Sequence, residues 1–456
     1  MADRGSPLPT PVSAPAEPSL PDTPAAGPTR RKAWLIAFLL FAFMVVNFAD
    51  KAVLGLAAKP LTKELGLSAS EYGMIAGAFF LLFNVAAVAG GFLADRVPGR
   101  WFLLLMALTW SLAQLPIAAA AGFGVLLVSR LVLGVAEGPS VAVATHTLYQ
   151  WFPADSRTRP TALLTAGAPL GVVAAAPLLG ALIAAQGWRS AFLAVAAAGV
   201  VWAALWYVFG RGGSDSKSEV PCPPSVTEES TSPRVGYRQV MMSRTFVANT
   251  VVAFAGYWSG ALLLAFVPSY IEDVLGHDTA AAGRLVALPW ALSALSLLVP
   301  AFLVPWMIRR GATARVANSG VAAAAAALSG LCLIGLAYGP AGPARIAFLA
   351  VGFSVAMVVF PLALTSFGTL APARLRGGVI GVYTGVYSLA GVVSPVVAGW
   401  LLDAGGHGAA GYATVFLVAA VLQLGGAAAV GCFGHPERDA ARLAALPAPG
   451  TRPEGR

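Results

Sequence analysis

Apolar residues fill this chain in runs of about twenty, the length a helix needs to cross a bilayer. Short polar stretches separate them, and twelve such runs can be delimited. Six lie near 34–57, 71–93, 102–121, 124–151, 159–185 and 188–210. Six more lie near 246–271, 280–304, 315–338, 343–370, 377–402 and 411–433. The pattern predicts an all-α integral membrane protein of twelve transmembrane helices. The polar remainder divides it into an N-terminal tail over 1–29, a six-helix bundle over 30–210, a central loop over 211–243, a second six-helix bundle over 244–433 and a C-terminal tail over 434–456. The Pro-, Ala- and Ser-rich composition of 1–29 predicts disorder. Arg30-Arg31-Lys32 gives the first run the flank of a signal peptide. That run follows a long polar tail and contains two charges, so a retained first span is expected.

Composition agrees with the pattern: 58% of residues are hydrophobic and 11% charged, against about a quarter charged in soluble proteins. The net charge of +9 raises the question of nucleic acid, but its placement argues against that partner. If the spans alternate, almost all Lys and Arg outside them fall on one side. The exceptions are Lys59, Lys63, Arg189, Arg284 and Arg345. This asymmetry predicts both termini on the cytoplasmic side of the cytoplasmic membrane. Cys222, Cys332 and Cys432 lack metal or disulfide spacing, and no cofactor or metal is expected.

A repeat crosses the central loop. "FPADSRTRP" follows the fourth run and "LAPARLRGG" the tenth. Both contain Pro-Ala-x-x-Arg, at Pro153 to Arg157 and Pro372 to Arg376. The span after each carries a late proline (Pro177, Pro395) and ends on a glycine (Gly187, Gly405). Two six-helix units in the same orientation are a transporter architecture, with the ligand site between them near mid-membrane.

Charges deep inside spans are costly, about 2.5–3.5 kcal/mol each on insertion scales. Asp50, Lys51, Arg130 and Glu137 are the four such residues, all in the first half. Arg130 and Glu137 stand almost two helical turns apart on one face, roughly 10 Å along the axis. That is too far for an ordinary local ion pair, and it suits two groups lining one cavity. Buried ion networks are weak devices for stability, so a transport pathway is the better reading. Asp50 and Glu137 suit proton exchange. Arg130 offers a planar fork for a carboxylate. Lys51 is expected to contact the anion or to pair with its neighbour Asp50.

Several of these stretches together resemble the major facilitator superfamily. "GGFLADRVPGRW" is similar to its loop signature through Gly91, Asp95, Arg96, Gly99 and Arg100. Within the superfamily the chain resembles the anion:cation symporters, which carry organic anions such as sugar acids. The resemblance spans about 30–433. It rests on Asn47-Phe48-Ala49-Asp50-Lys51, on Arg130, Gly134, Glu137 and Pro139, and on "ELGLSASEYG" (64–73) and "QGWRSAF" (186–192). It implies a two-bundle fold, alternating access, proton-coupled uptake of a small organic anion, and no enzymatic activity. It also implies proton-coupling roles for Asp50 and Glu137, anion contact for Arg130, and a cytoplasmic gate of Gly91, Asp95, Arg96, Arg100 and Arg157. Lys51 stands where symporters have Arg, and Phe48 and Phe83 where sugar-acid carriers often have Tyr. These lost hydroxyls point toward a less polar acid.

Asn84, Tyr257, Tyr383 and Ser388 are further candidates for substrate contact, along with Tyr387. The second half carries no charge at comparable depth, and its loop "VPWMIRRGATAR" lacks the signature acid. Beyond the anion, protons and lipid no partner is expected, and the chain is expected to act as a monomer. One alternative is a proton-driven efflux antiporter for hydrophobic compounds. Such carriers place Pro directly after a spaced Gly in the fifth span, whereas Gly171 here is followed by Val172. A membrane enzyme would need an acid-rich metal cluster or a His-Asp base, and no such pattern occurs.

Overall fold

The turn after the first span shows how local sequence sets the helix ends. Gly66 has φ +64°, the left-handed conformation that glycine adopts at no steric cost. The Leu67 amide then donates back to the Thr62 carbonyl at 3.0 Å, closing a Schellman motif. Two residues on, Ser68 and Glu71 form a capping box. The Glu71 amide donates to Ser68 Oγ at 3.1 Å and the Ser68 amide to Glu71 Oε2 at 2.9 Å.

The structure is a computed structural model and describes residues 30–94, 97–119, 122–153, 156–210 and 235–445. Among these residues it contains twelve helices long and apolar enough to cross a membrane. Spans 1 to 6 are Arg30–Leu65, Ala69–Gly90, Gly99–Ala119, Phe123–Tyr149, Arg159–Gln186 and Trp188–Phe209. Spans 7 to 12 are Arg244–Ala265, Thr279–Arg309, Arg315–Tyr338, Pro343–Leu370, Leu375–Gly405 and Ala409–Phe433. Side chains such as Leu105, Leu178, Phe302 and Trp400 are exposed on the outer surface, as a lipid-facing belt requires.

The pairing of spans repeats. In the first half, span 1 packs on 5, 2 on 4, and 3 on 6. In the second half, 7 packs on 11, 8 on 10, and 9 on 12. The two Pro-Ala-x-x-Arg motifs do the same work. Arg157 donates to the carbonyls of Phe152 and Tyr149 at 3.0 and 3.3 Å, and Arg376 to those of Ala371 and Gly368 at 3.0 and 2.7 Å. In each case the guanidinium serves the orphan carbonyls that end the preceding span.

Two segments read as loop or tail carry structure. Tyr237–Met241 and Pro436–Ala444 are short helices. Asp439 accepts from the Thr245 amide at 2.9 Å and the Thr245 hydroxyl at 2.7 Å, so the last helix caps the start of span 7. The first tail, residues 211–234 of the loop and 446–456 lie outside the described residues, as does Cys222.

The two bundles touch through spans 2 and 11 and spans 5 and 8, toward the face that carries the 66–68 turn. Backbone runs against backbone there. A Cβ added at Gly283 would lie 2.3 Å from the Ala176 carbonyl oxygen, and one at Gly180 2.8 Å from that of Thr279. Polar latches reinforce the seam. Asp403, at the end of span 11, accepts from the amides of Ala69 and Ser70 at 2.9 Å each, placing an anion on the N-terminus of span 2. Lys59 pairs with Asp273 at 2.6 Å, and Tyr72 donates to the Ala265 carbonyl at 2.9 Å. On the opposite, terminal face a cavity of about 700 Å³ separates the ends of spans 2 and 11, lined by Ala87, Val88, Gly377 and Gly381 among others. The molecule is therefore shut on one face and open on the other.

Replacing Gly283 with Leu should disfavour this arrangement by about 1–3 kcal/mol, the usual cost of overpacking. A membrane-impermeant maleimide should then label a cysteine placed at Ser269 faster in Gly283→Leu than in its glycine parent, both otherwise cysteine-free. Equal rates would mean that the glycine contact does not hold the face shut.

Candidate functional site

Span 1 is unbroken through its charged stretch, so each residue there points about 100° from the last. Asp50 and Lys51 consequently face different neighbours. The pairing of Lys51 with Asp50, one of the two roles expected for it, is not observed. Lys51 Nζ instead lies 2.5 Å from Glu137 Oε2 on span 4, with both side chains buried. It also donates to Asn47 Oδ1, one turn earlier on its own helix. Three rings surround the ammonium, those of Phe48, Phe83 and Phe79, at 4.7, 5.4 and 5.6 Å from their centroids. Such faces attract a cation.

Asp50 is fully buried and accepts from the Gln114 side-chain amide on span 3. Asp50 Oδ2 and Glu137 Oε1 have no protein donor.

Arg130 is 2% exposed, and its Nε and Nη2 have no hydrogen-bond partner. The Phe192 ring lies 5.8 Å from its central carbon, but leaving two buried N–H groups unpaired is expensive. The group borders a narrow crevice of about 30 Å³, shared with Lys51, Phe79 and Phe80. The straight helix Phe123–Glu137 holds Arg130 and Glu137 on one face. Span 4 packs closely on span 2, since a Cβ at Gly134 would lie 2.3 Å from the Phe79 carbonyl oxygen. The small residue there brings Arg130 and Glu137 within reach of span 1.

A cavity of about 340 Å³ adjoins the crevice and is lined by Phe48, Lys51, Phe83 and Tyr257 among others. Phe83, Asn84, Tyr257 and Ser388 also line the wider cavity that opens on the terminal face. Tyr383 lines neither. It is buried within the second bundle, its ring 4.9 Å from Phe367 and 4.8 Å from Tyr387, on the side of span 11 away from Gly381, Thr384 and Gly385, which line the wider cavity.

Of the expected gate, Asp95 and Arg96 lie outside the described residues, and Gly91 falls within the second helix. Arg100 stays within the first bundle. It donates to the Tyr207 carbonyl at 3.1 Å, where span 6 ends. Arg157 likewise serves its own bundle. Both are drawn to carbonyls left unpaired at helix ends, and in this open-faced arrangement neither latches the bundles together.

Sequence reasoning missed Gln114 and the role of Asn47. A polar amide midway through an apolar span was the available signal. It also missed that two segments shared with the symporters meet: Glu64 accepts from Trp188 Nε1 and Arg189 Nη1, both at 2.7 Å.

The profile of the Major Facilitator Superfamily matches residues 39–395. The chain belongs to the Major Facilitator Superfamily. It is 27% identical over 409 residues to the hexuronate transporter of Bacillus subtilis, covering 87% of this chain and 94% of that protein. It is 30% identical over 325 residues to a probable anion transporter of Oryza sativa, covering 67% of this chain and 54%, about half, of that longer protein. A bacterial homologue of the human lysosomal transporter Spinster shares the fold, with a TM-score of 0.76 at 18% identity, covering 92% of this chain and all of that one. Its relatives in the superfamily are named transporters, and the chain is a multi-pass membrane transporter rather than an enzyme.

The Asp50–Gln114 contact can be tested by a double-mutant cycle of Asp50→Asn and Gln114→Leu, read as thermal unfolding of purified protein. Gln114→Leu alone should cost about 1–3 kcal/mol, the penalty for orphaning a buried acceptor. The double variant should show a coupling of about 0.5–3 kcal/mol. Strict additivity would show that the contact contributes nothing.

Proposed function

We propose that this transporter carries a small organic anion into the cytoplasm by proton symport across the cytoplasmic membrane. The buried guanidinium of Arg130 carries this reading: its Nε and Nη2 lack a hydrogen-bond partner, and an anion would supply one at the point where the cavity narrows. The naming of relatives as hexuronate and anion transporters supports it. The positive-inside asymmetry makes the terminal face cytoplasmic. The arrangement described is then the inward-open one, and rocking of the bundles about the site exposes it alternately to each side.

Charge arithmetic supplies the coupling. With all four groups ionised, Asp50, Lys51, Arg130 and Glu137 sum to zero, and Lys51 is held by Glu137. One proton shared between the two carboxyls raises the sum to +1 and loosens Glu137 from Lys51. A monocarboxylate bound at Arg130 and Lys51 returns the sum to zero. The empty unprotonated site and the doubly loaded site are therefore both neutral. A site holding the proton alone or the anion alone carries net charge, which is costly to enclose within a membrane. The neutral states alone change face readily, so proton and anion move together.

Proteoliposomes with a trapped pH dye test this. External carboxylate should acidify the interior, and monocarboxylate uptake should be insensitive to an imposed membrane potential. Glu137→Gln should abolish uphill uptake yet retain substrate exchange. Arg130→Ala should weaken anion binding by about 30-fold or more, as truncating one partner of a buried charged contact does. Alkalinisation on adding a hydrophobic cation would instead establish efflux by antiport.

A further inference from the structure

The geometry points to an aromatic carboxylic acid with few hydroxyl groups as the substrate of this site. The inference rests on the organic-anion reading above and names the class within it. Its basis is the lining of the 340 Å³ cavity next to the Arg130 crevice. Seven rings face that space: Phe48, Phe80, Phe83, Tyr257, Trp290, Phe360 and Tyr387. They are arranged as facing groups. Phe48 and Trp290 lie edge to face at 6.1 Å. Tyr257, Phe360 and Tyr387 form a triangle with centroid separations of 6.4, 5.3 and 5.1 Å, and Phe80 meets Tyr257 edge to face at 5.8 Å. Separations of about 4.5–7 Å suit edge-to-face and offset ring contacts, and a ring entering between the groups can extend them.

The polar groups on this wall are few and partly occupied. The Thr165 hydroxyl donates to the carbonyls of Thr161 and Ala162 at 3.0 and 3.1 Å. The Ser293 hydroxyl donates to the Trp290 carbonyl at 2.7 Å. Lys51 is held by Glu137 and Asn47. Trp290 Nε1 is buried without a partner, and Tyr257 and Tyr387, each with a phenolic hydroxyl, also line the space, so the wall offers these three polar contacts to a substituent. A polyhydroxylated acid would bring more hydroxyls than these groups can satisfy, at about tenfold in affinity for each one left unpaired. An aromatic acid would place its ring among the seven and its carboxylate in the crevice beside Arg130. The crevice and the cavity share Lys51, Phe80, Ala261 and Leu264, so head and body of one small molecule occupy both at once.

Binding of phenylacetate, propionate and glucuronate to the purified full chain can be measured by calorimetry, with a hydrophobic cationic dye as a fourth probe. Phenylacetate should bind at least about tenfold tighter than either other acid. Trp290→Ala should remove most of that advantage, weakening phenylacetate by more than it weakens propionate. The conservative pair Phe48→Tyr and Phe83→Tyr, which adds hydroxyls without emptying the cavity, should shift the ratio toward glucuronate. Glucuronate binding as tightly as phenylacetate in the parent protein would overturn this inference and leave the organic-anion reading standing. Binding of the dye with none of the acids would overturn both.

Discussion

The buried pair between Lys51 and Glu137 is the constraint on which the site depends. Neither charge could occupy the middle of the membrane alone. Removing one partner of such a pair costs about 3–5 kcal/mol because the other stays buried and uncompensated. Spans 1 and 4 are thus tied by a buried ionic contact. Replacing such a pair with apolar residues is often neutral or stabilising. Under the symport proposed above, this contact is the one that a proton on a carboxyl would loosen.

Around this pair the two bundles divide the labour. The first holds Asp50, Lys51, Arg130 and Glu137, the charges well inside spans, and the second contributes mainly rings and glycines to the cavity. The duplicated architecture is thus symmetric in packing and asymmetric in chemistry. Arg157 and Arg376 still make the same two backbone contacts in their respective halves, because a helix end presents the same unpaired carbonyls wherever it occurs. No such general demand places the charged cluster in both copies, and Asp50, Lys51, Arg130 and Glu137 all lie on spans 1 and 4.

The closed face is held by close approach more than by ionic strength. Lys59 and Asp273 are partly solvent-exposed, and exposed pairs contribute about 0–1 kcal/mol. The glycines at 180 and 283 let helix backbones meet, gaining dispersion contacts that no larger residue permits there. Asp403 adds a charge at the N-terminus of span 2 without needing a basic partner. A seam of many weak contacts can part and re-form, as the proposed alternating access would require.

The twelve spans, the duplication and the four intramembrane charges were legible in the sequence. Each reflects a cost the bilayer imposes locally: length, unpaired backbone and buried charge leave marks on consecutive residues. The capping box Ser68–Glu71 and the turn at Gly66 were equally local. The partners of those charges were decided by the tertiary structure. Lys51 meets Glu137 and Asp50 meets Gln114 because helix rotation and the approach of spans 1, 3 and 4 set which side chains face one another, and one sequence without its packing fixes neither. For the same reason Tyr383 turned inward while Trp290 and Phe360, which no motif marks, came to face the cavity. Sequence determined which chemistry the membrane would have to accommodate. Packing decided which groups would meet, since contact between helices depends on rotations that hydrophobic spacing leaves free.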